Sequence, residues 1–152
     1  MSARPLIDRW FDEYRVGQIE DGGTATITAQ DIADFARISL DDHPAHVDPA
    51  FATERFGGVL AHGVLTFAVV VGLTVEHNRR AVAYGYDRIR FPAPVLAGDV
   101  IRATAEVVDV AAHPRNTAIG LVTKAYTGVN QHGNTVLVCR HILAVDRRPE
   151  QE

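Results

Sequence analysis

Gly63-Val64-Leu65-Thr66-Phe67-Ala68-Val69-Val70-Val71-Gly72-Leu73-Thr74-Val75 is the stretch that decides the fold. It carries no charge over 13 residues, and His62 separates it from the apolar Val59-Leu60-Ala61. A helix needs about 20 apolar residues to cross a bilayer, so this run reads as a buried core helix and predicts no membrane span. An apolar helix without a polar stripe needs cover on every side. A chain of 152 residues supplies that cover by wrapping a sheet around it.

The sheet is legible downstream. Tyr84 to Phe91, Val100 to Val110, Thr117 to Tyr126 and Thr135 to Val145 are rich in β-branched and aromatic residues. Ile101, Ala103 and Ala105 alternate with Arg102, Thr104 and Glu106. Turn residues fill the links: Pro92-Ala93-Pro94, Gly98-Asp99, His113-Pro114-Arg115-Asn116 and His132-Gly133-Asn134. Four consecutive strands predict an antiparallel meander. Helices first and strands after place the chain in the α+β class.

Upstream, residues 1–22 read as an irregular segment anchored by Trp10, Phe11, Tyr14 and Val16, and Thr24 to Ile27 as a short strand. Thr28, with Asp31 three residues on, predicts a capped helix over 29–39. Asp41 to His46 reads as loop, because Pro44 disfavours helix at His43. Asp48-Pro49 starts a short helix to about Arg55, which Gly57-Gly58 breaks. The apolar helix is expected to run from His62-Gly63 to near His77-Asn78. No linker or repeat divides the chain, so residues 1–152 read as one domain, with 147–152 a tail.

Composition narrows the function. Hydrophobic residues are 47% and charged residues 22%, which excludes disorder. Net charge is −4, which argues against a nucleic-acid partner. One cysteine, Cys139, excludes an intrachain disulfide framework and any CxxC motif. The charged start MSARPLIDRWFDEYRVG shows no apolar signal core, so a reducing cytoplasm is the expected compartment. A sheet wrapped on one helix leaves an edge strand and apolar surface, which predicts a homodimer with a ligand tunnel near its interface.

The polar groups concentrate in Asp41-Asp42-His43-Pro44-Ala45-His46-Val47-Asp48. A carboxylate and an imidazole on one Pro-stiffened loop can work on one water. The plainer reading is a turn followed by a helix cap. A metal held by His43, His46 and Asp41 or Asp48 is disfavoured, since Pro44 keeps the histidines off one helix face and no third His or Cys stands at a familiar spacing. His62-Gly63 begins the apolar helix, where free N–H groups and the dipole favour negative charge. Glycine there admits a ligand close to the backbone, as an oxyanion hole requires.

Together these motifs resemble the MaoC-like, or (R)-specific enoyl-CoA hydratase, family of hot-dog-fold proteins. The resemblance rests on Tyr14-x-Val16-Gly17-Gln18, Asp41-x-His43-Pro44-x-His46-x-Asp48-Pro49-x-Phe51-Ala52, Leu60-Ala61-His62-Gly63-Val64-Leu65 and Arg90-Phe91-x-x-Pro94-Val95-x-x-Gly98-Asp99. Leu40 stands where the family usually has Gly, and His43 where it usually has Asn. Ala45 replaces a larger aliphatic residue.

The resemblance implies a long central helix wrapped by an antiparallel sheet, as a homodimer or a double hot dog. It implies that Asp41 and His46 hold a water over a 2-enoyl thioester, with the Gly63 N–H on the enolate oxygen. His43, His62 and Val64 would then meet the substrate. That substrate would be a thioester of coenzyme A or acyl carrier protein, with no metal or other cofactor. The alternatives are an acyl-thioester-binding protein without hydration activity, and a thioesterase. The second is weakened because Gly63 to Val75 lacks a carboxylate.

Overall fold

The computed structural model describes residues 3–150. A 3-10 turn at Phe11–Glu13 leads to β1 (Ile19–Thr26). Four helices follow: α1 (Ala29–Ser39), α2 (Pro44–Val47), α3 (Pro49–Phe56) and α4 (Gly63–Thr74). The chain finishes with β2 (Ala81–Arg90), β3 (Val100–Ala112), β4 (Ile119–Val129) and β5 (Thr135–Asp146). The five strands form one antiparallel sheet in the order β1-β3-β4-β5-β2.

The expected meander holds only for β3, β4 and β5. β2 pairs with β5 at the far edge, not with β3. The link from Phe91 to Asp99, with Pro92 and Pro94, is too long and stiff for a tight hairpin, so it carries the chain across the fold instead.

The N-terminal segment is more ordered than expected. β1 starts at Ile19, inside the stretch read as irregular, and pairs with β3. Gly22-Gly23 disguises it: the register shifts there, and Gly23 has φ 78°. A Cβ on Gly22 would stand 2.7 Å from the Leu73 carbonyl oxygen, so glycine lets β1 and α4 meet backbone to backbone.

α1 spans the expected residues, with the Thr28 hydroxyl accepting from the Asp31 N–H and the Asp31 carboxylate from the Thr28 N–H. α4 is shorter than expected. It stops at Thr74, whose hydroxyl donates to the Val70 carbonyl at 2.7 Å, and Val75 turns extended. The Arg4 guanidinium covers the freed Leu73 and Val75 carbonyls at 3.0 Å each.

Ile32, Leu65, Val70, Ile101, Tyr126 and Leu137 form the core between helices and sheet. A second cluster joins Tyr14, Val107, Val122, Leu143 and Val145. Cys139 lies in the first, with its thiol pushed up to about 11 by burial. The sheet covers only part of α4: Val64 is 61% exposed, and Ala68 and Gly72 follow it on the same open face. Among the described residues no helix is long and apolar enough to cross a membrane.

Candidate active site

α1 ends at Leu40, which adopts the left-handed conformation at φ 65° and throws the chain sharply outward. That conformation costs an L-residue roughly 1–2 kcal/mol. It is the one glycine takes without strain, the physical content of a Gly–Leu difference at this position. Asp41 follows directly, with its side chain 55% exposed.

The stretch read as loop contains one helical turn, α2. Pro44 occupies its first position, where a missing N–H costs nothing and φ is already set. The constraint Pro44 imposes on His43 is met because His43 is the extended cap, with φ −55° and ψ 139°. The His43 Nδ1 accepts from the Ala45 N–H at 3.1 Å. An asparagine Oδ1 could make the same bond. Asp48 caps α3 as expected, accepting from the Ala50 and Phe51 N–H groups at 3.0 and 3.2 Å.

The α2 turn carries His46 inward. Its Nδ1 lies 2.6 Å from the Leu60 carbonyl oxygen. A carbonyl only accepts, so Nδ1 carries the hydrogen and Nε2 presents a lone pair. That Nε2 faces the Asp41 Oδ2 at 3.9 Å. The separation is too long for a direct hydrogen bond, yet short enough for one water to reach both at about 2.8 Å.

His62 is 2% exposed and lies beneath the pair. Its Nε2 is 2.9 Å from the Asp41 main-chain oxygen, and its ring stacks on His46 with centroids 3.7 Å apart and planes 22° apart. Phe35 meets it edge-on at 4.9 Å. Its Nδ1 is buried without a hydrogen-bond partner.

Gly63 opens α4, as the sequence predicts. A Cβ there would lie 2.9 Å from the Phe91 ring, which would have to shift to admit it. Phe91 also lines a pocket of about 450 Å³ with Phe56, Gly63, Thr66, Val95 and Val136. The pocket and the Asp41–His46 pair share the segment Leu60 to Gly63. Val64 points away to solvent and does not line this pocket. Sequence reasoning missed two contributors. The Leu60 carbonyl has no side-chain signature, and Phe91 was visible only as a motif residue.

Asp41, His46 and His62 each offer a ligand atom within 4.8 Å of the others. Each histidine already spends one ring nitrogen on a carbonyl, and the stacked rings send their remaining lone pairs along near-parallel planes. Metal ligation needs them to converge.

Residues 16–130 match the model of a family described as MaoC like domain. The chain is 38% identical over 102 residues to the 3-hydroxyacyl-thioester dehydratase Z of Mycobacterium tuberculosis, covering 63% of this chain and 66% of that protein, just under two thirds of its length. It is 35% identical over 111 residues to the (R)-specific enoyl-CoA hydratase of Rhodospirillum rubrum, covering 70% of this chain and 75% of that one. An Archaeoglobus structure described as a monoamine oxidase regulatory protein superposes with a TM-score of 0.86 at 30% identity, over 93% of this chain and 97% of that one. A Mycobacterium tuberculosis double hot-dog structure superposes with a TM-score of 0.79 at 23% identity, over 95% of this chain and 46% of that one. The fold is therefore the hot-dog fold.

Proposed function

This chain belongs to the MaoC-like family, and from that premise we propose that it adds water to a 2-enoyl thioester to give a (3R)-3-hydroxyacyl thioester, and runs the reverse dehydration. The observation that carries the reading is the Asp41–His46 pair, two proton acceptors 3.9 Å apart with the His46 tautomer set by Leu60. A water between them loses a proton to one member as its oxygen bonds to Cβ. The C=C electron pair moves onto the thioester, and the enolate oxygen lies against the Gly63 N–H at the positive end of α4. The pair then delivers a proton to Cα on the same face and ends as it began. Water is consumed, and no cofactor enters these steps. The thioester carrier is coenzyme A or acyl carrier protein.

A homodimer completes the reading. β2 keeps an unpaired outer edge, Val82 and Tyr84 on it are 67% and 52% exposed, and the open face of α4 is apolar. Light scattering at micromolar concentration should give about twice 16.6 kDa; a mass of 16.6 kDa decides against the dimer. The activity is tested with crotonyl-CoA. Hydration removes the ultraviolet absorbance of the conjugated thioester, whereas binding alone leaves it. An unchanged spectrum across enoyl-CoAs of several chain lengths decides against a hydratase acting on coenzyme A thioesters, and acyl carrier protein thioesters are then the decisive substrates.

A further inference from the structure

We infer that His62 is a positioning residue that fixes both members of the proposed catalytic pair at once. The inference rests on the hydratase reading above. It replaces substrate contact, because a ring 2% exposed and absent from the pocket wall does not reach a ligand.

Three contacts carry it. The Asp41 main-chain oxygen can only accept, so the His62 Nε2 carries the hydrogen and donates across 2.9 Å. That bond is the anchor inside the protein for a residue whose side chain is 55% exposed and which follows the strained Leu40. The His62 ring also lies flat beneath His46, which limits how far His46 can tilt about its bond to Leu60. Finally, His62 immediately precedes Gly63, so locating its ring locates the first N–H of α4.

The unpartnered Nδ1 points the same way. A phenylalanine would fill this apolar site beside Phe35 without the cost of burying an unsatisfied nitrogen. The imidazole bears that cost and supplies in return the Nε2–H donor that Asp41 receives. Misplacement by about 1 Å can cost on the order of 10²-fold in rate, so a donor that holds the loop is enough to matter.

The test is a double-mutant cycle with crotonyl-CoA hydration as the readout. His62→Phe keeps a stacking ring and removes the donor. It should lower kcat about 10- to 100-fold with KM changed less than about twofold, while His62→Gln, which restores an N–H donor, recovers most of the loss. In an Asp41→Asn background the same His62→Phe change should cost less than about twofold, because residues acting as a unit are non-additive. Equal losses in both backgrounds, or a loss appearing in KM, overturn the inference.

Long-range proton–nitrogen spectra of the histidine rings decide it independently of turnover. The wild type should show His46 protonated on Nδ1 and His62 on Nε2, the form in which the His62 ring donates to the Asp41 carbonyl. A His62 ring protonated on Nδ1, which leaves Nε2 unable to donate to the Asp41 carbonyl, overturns the inference. A wild type without hydration activity fails the functional reading alone, and these spectra still decide the role of His62.

Discussion

The two ends of α4 treat polar groups in opposite ways. Beyond its C-terminal end, Lys124 is 1% exposed and every partner is in place. Its ammonium meets Glu76 at 2.6 Å and Glu20 at 3.2 Å. Tyr14 donates to Glu76 at 2.6 Å, Asn78 donates to Tyr14 at 3.0 Å, and Arg9 meets both glutamates. At the N-terminal end, Asp41 and His46 stand 3.9 Å apart with free acceptor atoms, and His62 buries an unpartnered nitrogen. A saturated network holds a fold together; an unsaturated one is left open for a reactant. The contrast predicts that substitutions at one end should be read in stability and at the other in turnover.

The largest effect is expected at the open end. Asp41→Asn and His46→Gln should each lower turnover by about 10²- to 10⁴-fold with little change in Tm. The double variant should be little worse than the poorer single one. A large fall in Tm instead would erase the contrast. At the closed end, Glu76→Gln should remove about 3–4 kcal/mol of stability by leaving Lys124 buried with Glu20 alone, and keep turnover per folded molecule. Chemical denaturation and an active-fraction titration check the two halves.

Acid should separate two groups, His141 on β5 and Glu76 just beyond α4. His141 is 1% exposed, and burial together with the Lys124 charge holds its imidazole down at about 4. Below pH 6.5 the unfolded chain binds a proton that the folded His141 refuses until about pH 4. Stability should therefore fall by about 2–3 kcal/mol as pH drops from 6.5 to 4. His141→Phe should flatten that window, although Tyr126, 2.7 Å from the His141 Nδ1, then loses its partner. Burial works against ionisation of Glu76, but the Lys124 ammonium and the Tyr14 hydroxyl bound to it outweigh that and hold this carboxyl at about 2. Its contribution is complete above pH 4.5 and disappears as pH falls through 2, so it shows below the His141 window. Denaturant midpoints measured across pH separate the two.

The smallest effect concerns Leu40. Leu40→Gly should relieve the left-handed strain and stabilise the protein by about 0.5–1 kcal/mol, after the greater flexibility of glycine in the unfolded chain. Turnover should change less than about threefold, because His62 holds the Asp41 carbonyl in either case. A larger loss would mean that Leu40 itself shapes the site.

The sequence by itself determined what depends on neighbours along the chain. Thr28 and Asp31 announced α1, Asp48-Pro49 announced α3, and alternation in Ile101 to Glu106 announced β3. The loop from Asp41 to Asp48 was legible as a cluster of carboxylates and imidazoles, and the resemblance to the MaoC-like family picked Asp41 and His46 out of it. Only the tertiary structure decided that β2 crosses to the far side of β5, that α4 stops at Thr74 under Arg4, and that β1 begins four residues before its glycine bulge ends. It also decided that His62 reaches back 21 residues to the Asp41 carbonyl and that Phe91 lies on Gly63. Those contacts join segments remote in sequence through a backbone oxygen and a hydrogen-sized gap, and neither leaves a side-chain pattern for a local reading to find.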